Sequence, residues 1–255
     1  MRMLNAALVL PVVLATSSAG ADCRYDAPRE AQLDAVGLQR IEIDAGAGEL
    51  RILGRSGSAE ISVRGTACAS NRGRLEEIEL RATRSGDTAR IEVTIPSGGW
   101  SLFSGDNRLD LEIDVPDSIP LEVLDSSGAV EVSGIASLDL QDSSGSIEID
   151  DVSGDVRVRD SSGSIGIERV GGDIRISDSS GQIEVAEVSG SVTIDEDGSG
   201  SIEIVDVERD VRVRRDGSGH IAVRRIGGDF VVDHDSSGGI RHSDVEGAVR
   251  IPNKR

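Results

Sequence analysis

The stretch Asp142-Ser143-Ser144-Gly145-Ser146-Ile147-Glu148-Ile149-Asp150-Asp151-Val152-Ser153-Gly154-Asp155-Val156-Arg157-Val158-Arg159 is one turn of a pattern that begins again at Asp160. Asp-Ser-Ser-Gly recurs at Asp125, Asp142, Asp160, Asp178 and Asp235, and Asp-Gly-Ser-Gly stands at Asp197 and Asp216. Successive aspartates lie 17, 18, 18, 19, 19 and 19 residues apart. A fixed period of about 20 residues marks a stacked repeat architecture.

Each period carries five apolar positions in the same places: Ile147, Ile149, Val152, Val156 and Val158, then Ile165, Ile167, Val170, Ile174 and Ile176, and so on. Ile147-Glu148-Ile149 and Val156-Arg157-Val158 alternate with period two, as strands with one buried face do. Their β-branched residues suit a pleated surface. Asp-x-Ser-Gly matches a type I turn, with Asp first and Gly fourth. The second corner carries glycine at Gly154, Gly172, Gly190, Gly228 and Gly247, where positive φ is expected, and Arg209 replaces it once. The predicted fold is all-β, a parallel β-solenoid (β-helix) of about 18–19 residues per coil, its identical positions stacked about 4.8 Å apart. No proline falls between Pro120 and Pro252, as strands paired on both sides require.

The chain divides into three parts. Residues 1–21 read as a signal peptide, with Arg2, an apolar run from Ala6 to Ala15, and the small residues Ala19-Gly20-Ala21 at the cleavage point. Residues 22–120 are expected to form an irregular N-terminal β region of coils and hairpins, and residues 121–252 the regular repeats. In the lead-in, alternation predicts strands at Arg40 to Ile43, Glu49 to Leu53, Ala59 to Arg64, Ala89 to Ile95 and Arg108 to Val115. Glu49 to Gly65 resembles one imperfect coil around Gly57, and Arg74 to Ala82 fits helix or strand. Pro116 and Pro120 punctuate entry to the repeats.

An export signal makes the expected location periplasmic or extracellular, and no later apolar stretch approaches the roughly 20 residues that span a bilayer. Cys23 and Cys68 are the only cysteines, and in an oxidising compartment they are expected to pair. The net charge of −19 argues against nucleic acid, whose binding needs a basic surface. Outward positions give one face of glutamates, Glu131, Glu148, Glu184 and Glu203, and one of arginines. The arginines are expected to contact Asp155, Asp173, Asp210 and Asp229 two residues earlier on the same side.

No residue set has catalytic spacing, and no cofactor or metal is expected. Stacked corner aspartates are hard oxygen ligands that raise calcium as an alternative, but turn chemistry already accounts for Asp and Gly. His220, His234 and His242 occupy different columns and lack ligand spacing. Trp100 and Phe103, in the Gly- and Ser-rich insertion from Ser97 to Asn107, are either a partner contact or a cover over an open edge.

The two-strand repeat, the hairpin ending in Asp114-Val115-Pro116 and the closing run Gly247-Ala248-Val249-Arg250-Ile251-Pro252 together resemble the putative-adhesin β-solenoid domains of unknown function in exported bacterial proteins. The resemblance covers roughly Leu38 to Pro252 and implies architecture, with no catalytic residues to carry over. The expected function is that of a non-enzymatic exported β-solenoid, a structural or adhesin-like surface for a protein or glycan of the cell envelope. The alternative is a carbohydrate-binding or carbohydrate-active β-helix protein.

Overall fold

The computed structural model describes residues 23–96 and 107–252. The lead-in runs β1 (Tyr25–Asp34), β2 (Arg40–Ala47), β3 (Leu50–Arg55), β4 (Glu60–Ala69), α1 (Arg72–Glu77), β5 (Glu79–Ser85), β6 (Thr88–Thr94) and β7 (Arg108–Pro116). The repeats follow as β8 (Leu121–Ser127), β9 (Val130–Ile135), β10 (Leu138–Gln141), β11 (Gly145–Val152), β12 (Val156–Arg159), β13 (Gly163–Val170), β14 (Ile174–Asp178) and β15 (Gly181–Val188). They continue through β16 (Val192–Asp197), β17 (Gly200–Val207), β18 (Val211–Asp216), β19 (Gly219–Ile226), β20 (Phe230–Asp235), β21 (Gly238–Val245) and β22 (Val249–Arg250).

Odd-numbered strands from β9 to β21 stack in parallel in one sheet, and even-numbered strands from β8 to β22 in the other. The register is residue for residue: Ile147 lies beside Ile165, Ile149 beside Ile167 and Val152 beside Val170. Every apolar column predicted for residues 130–232 faces the space between the sheets, and Phe230 is fully buried there. The fold is thus a parallel β-solenoid with a largely aliphatic core.

Two corners hold the coils. At the first, the glycines from Gly128 to Gly238 have φ between 127° and 151°. A Cβ on any of them would lie 1.4–1.9 Å from the carbonyl oxygen of the equivalent glycine one coil earlier. Glycine is therefore required twice over, by its φ and by close stacking. The expected type I turn is not what closes this corner: the Gly145 amide donates instead to the Ser162 carbonyl of the next coil (3.1 Å). At the second corner the expected positive φ is not on the glycines. It falls on Asp151, Arg169, Glu187, Asp206, Arg225 and Asp244, with φ of 54–58°. This left-handed residue shifts the strand phase by one, so that Val152 points inward three residues after Ile149 rather than two. Gly172 is needed there for closeness, since a Cβ would sit 2.5 Å from the Gly154 carbonyl carbon. Arg209 needs no left-handed backbone to replace it.

The lead-in differs from expectation in its order. β2 and β3 form one coil whose corner is Gly48, packed against Gly128. That coil lies between the pair β6 and β7 on one side and β8 and β9 on the other. Glu49 to Gly65 is therefore not a coil: β3 and β4 share one sheet, separated by β7. Arg74 to Ala82 contains both alternatives, the end of α1 and then β5.

The two ends of the stack differ. At the first, β4 pairs antiparallel with β7 and β1, and β5 antiparallel with β6, so reversed strands close both sheets. Arg29 donates to the Leu75 and Ile78 carbonyls (2.7 and 2.9 Å), tying β1 to the end of α1. Cys23 and Cys68 form a disulfide with a Cα separation of 5.5 Å, which fastens the start of β1 to β4. At the other end β21 and β22 have no further coil beside them among the described residues. Val249 and Ile251 stand 37% and 42% exposed, and the His242 ring lies 6.2 Å from Phe230.

Gly181→Ala places a Cβ 1.5 Å from the Gly163 oxygen. We expect a loss of about 3 kcal/mol or more in urea denaturation. Gly57→Ala, at φ 70° with nothing within 4 Å, should cost about 1 kcal/mol. Equal losses would contradict the stacking account.

Candidate functional site

The outer faces of the sheets carry charged side chains in rows set by the coil register. On the odd-numbered sheet Glu131, Glu148, Gly166, Glu184 and Glu203 are successive neighbours, and the row continues through Ala222 to Arg241. Like charges in direct register repel. Gly166 relieves this: the Glu148 carboxylate lies over it, 2.4 Å from where a Cβ would be. Desolvation, then Glu184, Glu168 and Glu131, holds the Glu148 carboxyl above its ordinary range. Arg51 pairs with Glu131. Among the described residues, Glu148, Glu184 and Glu203 form no ion pair.

The even-numbered sheet presents Asp139, Arg157, Arg175, Thr193, Arg212, Val231 and Arg250 in one row. The expected contacts to aspartates two residues earlier are replaced by contacts between coils. Arg175 and Arg214 both reach Asp195, Arg212 grips Asp233 with two bonds (2.9 and 3.1 Å), and Arg159 reaches Asp139 (3.1 Å). The second-corner aspartates have another task. Asp155 accepts from the Asp173 amide (2.9 Å), Asp173 from Ser191 (2.8 Å), Asp210 from Asp229 (2.7 Å) and Asp229 from Ala248 (2.8 Å). They cap backbone groups of the following coil, and Asp229 also takes Arg250 of that coil (2.6 Å).

The corner aspartates, expected as turn residues, are buried. Asp125, Asp142, Asp160, Asp178, Asp197 and Asp216 retain 1–7% of their exposure. One oxygen serves the corner: Asp142 Oδ1 accepts from the Ser143 and Ser144 amides (2.7 and 3.3 Å), and Asp160 Oδ1 repeats this with Ser161 and Ser162. The aspartate side chain thus does what the absent backbone turn bond would have done. The second oxygen of Asp142, Asp160 and Asp178 is buried without a hydrogen-bond partner.

Trp100 and Phe103 lie outside the described residues. The histidines do not converge: His220 neighbours Ser201 and Gly239, His234 neighbours Arg215, and His242 takes the inward column of Val223. No group of three His, Cys, Asp or Glu side chains arranged for a metal occurs among the described residues. None of their helices is long and apolar enough to cross a membrane.

No protein-family model and no curated protein matches the chain. Among solved structures it is similar to a putative cell adhesion protein from Clostridium sporogenes, at 13% identity over 89% of this chain and 98% of that one, with a TM-score of 0.39. It is also similar to a putative lipid binding protein from Parabacteroides distasonis, at 16% identity over 88% and 96%, with a TM-score of 0.34. A putative adhesin from Parabacteroides merdae matches at 9% over 88% and 95%, with a TM-score of 0.29.

Asp173→Ala leaves the Ser191 amide without its acceptor and should cost about 1 kcal/mol, whereas Asp173→Asn keeps an acceptor and should cost less than half of that. Arg212→Ala removes a solvent-exposed pair and should cost about 0.3 kcal/mol, vanishing at high salt. Urea denaturation at two salt concentrations measures all three.

Proposed function

We propose that the chain is an exported, non-enzymatic β-solenoid whose outer face holds a partner in the cell envelope in an adhesin-like way. The observation that carries this reading is the row Glu148, Glu184 and Glu203. It is exposed, recurs on three of four successive coils, and has no ion pair among the described residues, while Arg175, Arg212 and Arg250 of the opposite row are each paired with an aspartate. A rigid array of unneutralised carboxylates is complementary to a repeated array of positive groups, and many weak contacts held at fixed spacing add through multivalency. Export is supported by the N-terminal sequence pattern and by the Cys23–Cys68 disulfide, which suits an oxidising compartment.

Affinity capture from the envelope fraction of the source cells should retain a basic partner at low salt and release it at about 0.5 M salt, where charges are screened beyond a few ångströms. The triple variant Glu148→Lys, Glu184→Lys, Glu203→Lys should fold with unchanged stability or better and lose that partner. Retention of the partner by the variant contradicts the acidic-face reading. Binding to a neutral glycan on an array, unaffected by the triple change, would instead support the carbohydrate alternative.

A further inference from the structure

The buried carboxyl column has a geometry that ionised aspartates alone do not satisfy. Asp178, Asp197, Asp216 and Asp235 lie beside one another in register on successive strands of one sheet. The Asp125 carboxyl approaches that of Asp142, and that of Asp216 approaches those of Asp197 and Asp235. The inward oxygens of Asp142, Asp160 and Asp178, and both oxygens of Asp197 and Asp216, accept no well-formed hydrogen bond, although these residues are more than nine-tenths buried. Two facing carboxylates are two acceptors. A proton held between them turns one into a donor and removes one buried charge.

The groups around the column do not supply that charge balance. The charges acting on it are Asp44 from β2 beside Asp125, and then the column's own members from each following coil. No arginine, lysine or histidine is among the leading causes of their shifts. We propose that the column is a proton ladder, in which Asp125 with Asp142 and Asp197 with Asp216 each hold one proton between two carboxyls, making the stack a pH-sensitive element that tightens in mild acid. The step is a simple protonation: each shared proton comes from solvent and returns there when the pair ionises.

The direction of the effect follows from the shifts. Burial first, and the neighbouring Asp142 second, push Asp125 up to about 7; burial, then Asp216 and Asp178, do the same to Asp197. Burial also raises Asp160, Asp178 and Asp216. An unfolded aspartate titrates near 3.9. Between about pH 4 and pH 7 the folded chain therefore binds more protons than the unfolded chain, and its stability falls as pH rises. The contribution is complete below about pH 4 and lost as pH passes through about 7.

Urea denaturation of the full chain across this range, at constant ionic strength, reads the proton uptake on folding. Asp197→Asn has the shape of a neutral aspartic acid but no proton to release. It should take up about one proton fewer on folding and be more stable than the parent at pH 8. Glu203→Gln removes an equal charge from the outer face and should leave the uptake unchanged, which separates the column from general charge repulsion. The infrared carbonyl band of neutral carboxylic acid, followed in the unaltered protein, should be present at pH 6 and absent at pH 9. No such band at pH 6, or equal uptake in the two variants, overturns the ladder. Stabilisation by millimolar calcium at pH 8, lost in Asp197→Asn, also overturns it and assigns the column to a cation.

Discussion

The structure depends on the close contact between the corner glycines of successive coils, where the carbonyl of one fills the space a Cβ would take on the next. That contact lets the corners approach to the spacing of hydrogen-bonded strands, which gives the rule that every residue sits about 4.8 Å from its own counterpart. For Ile and Val the rule is favourable, because identical side chains fill a regular core between two sheets. For charged residues the same rule is a problem, because like lies against like. The chain answers it in three ways. Glutamates of the outer row spread into solvent and over Gly166; arginines of the opposite row reach aspartates of a neighbouring coil; and the corner aspartates, denied solvent, come together as facing carboxyls.

Much of this was legible in the sequence. The five apolar columns and the Asp-x-Ser-Gly corner are local patterns repeated many times, so period and phase read directly as coil and face. The order of the first coils was not legible. β2 and β3 find their neighbours in β6 to β9 across tens of residues, and alternation reports which face of a strand is buried but not which strand lies beside it. β1 escaped notice because its small, polar and proline residues mask the alternation that its burial pattern shows.

The two largest misreadings concern corners. Arg169, Glu187 and Arg225 hold left-handed backbone without being glycine, asparagine or aspartate, the residues that announce it. Turn chemistry alone suggests a surface position for the aspartates of the first corner. A signal to the contrary was present: the residue before each aspartate changes through Leu124, Gln141, Arg159, Ser177, Glu196, Arg215 and His234, while the aspartate never does. Such constancy beside such variety belongs to an inward position, as the structure shows.

The central claim is that the coil is an interchangeable unit, joined to its neighbours by the corner contact and the columns it aligns. Deleting residues 163–180, one 18-residue period that joins Ser162 to Gly181, tests it most directly. The shortened chain should remain a soluble β protein with an unaltered circular dichroism shape and a cooperative, somewhat weaker unfolding transition. A chain that no longer folds, or that unfolds without cooperativity, would contradict the account.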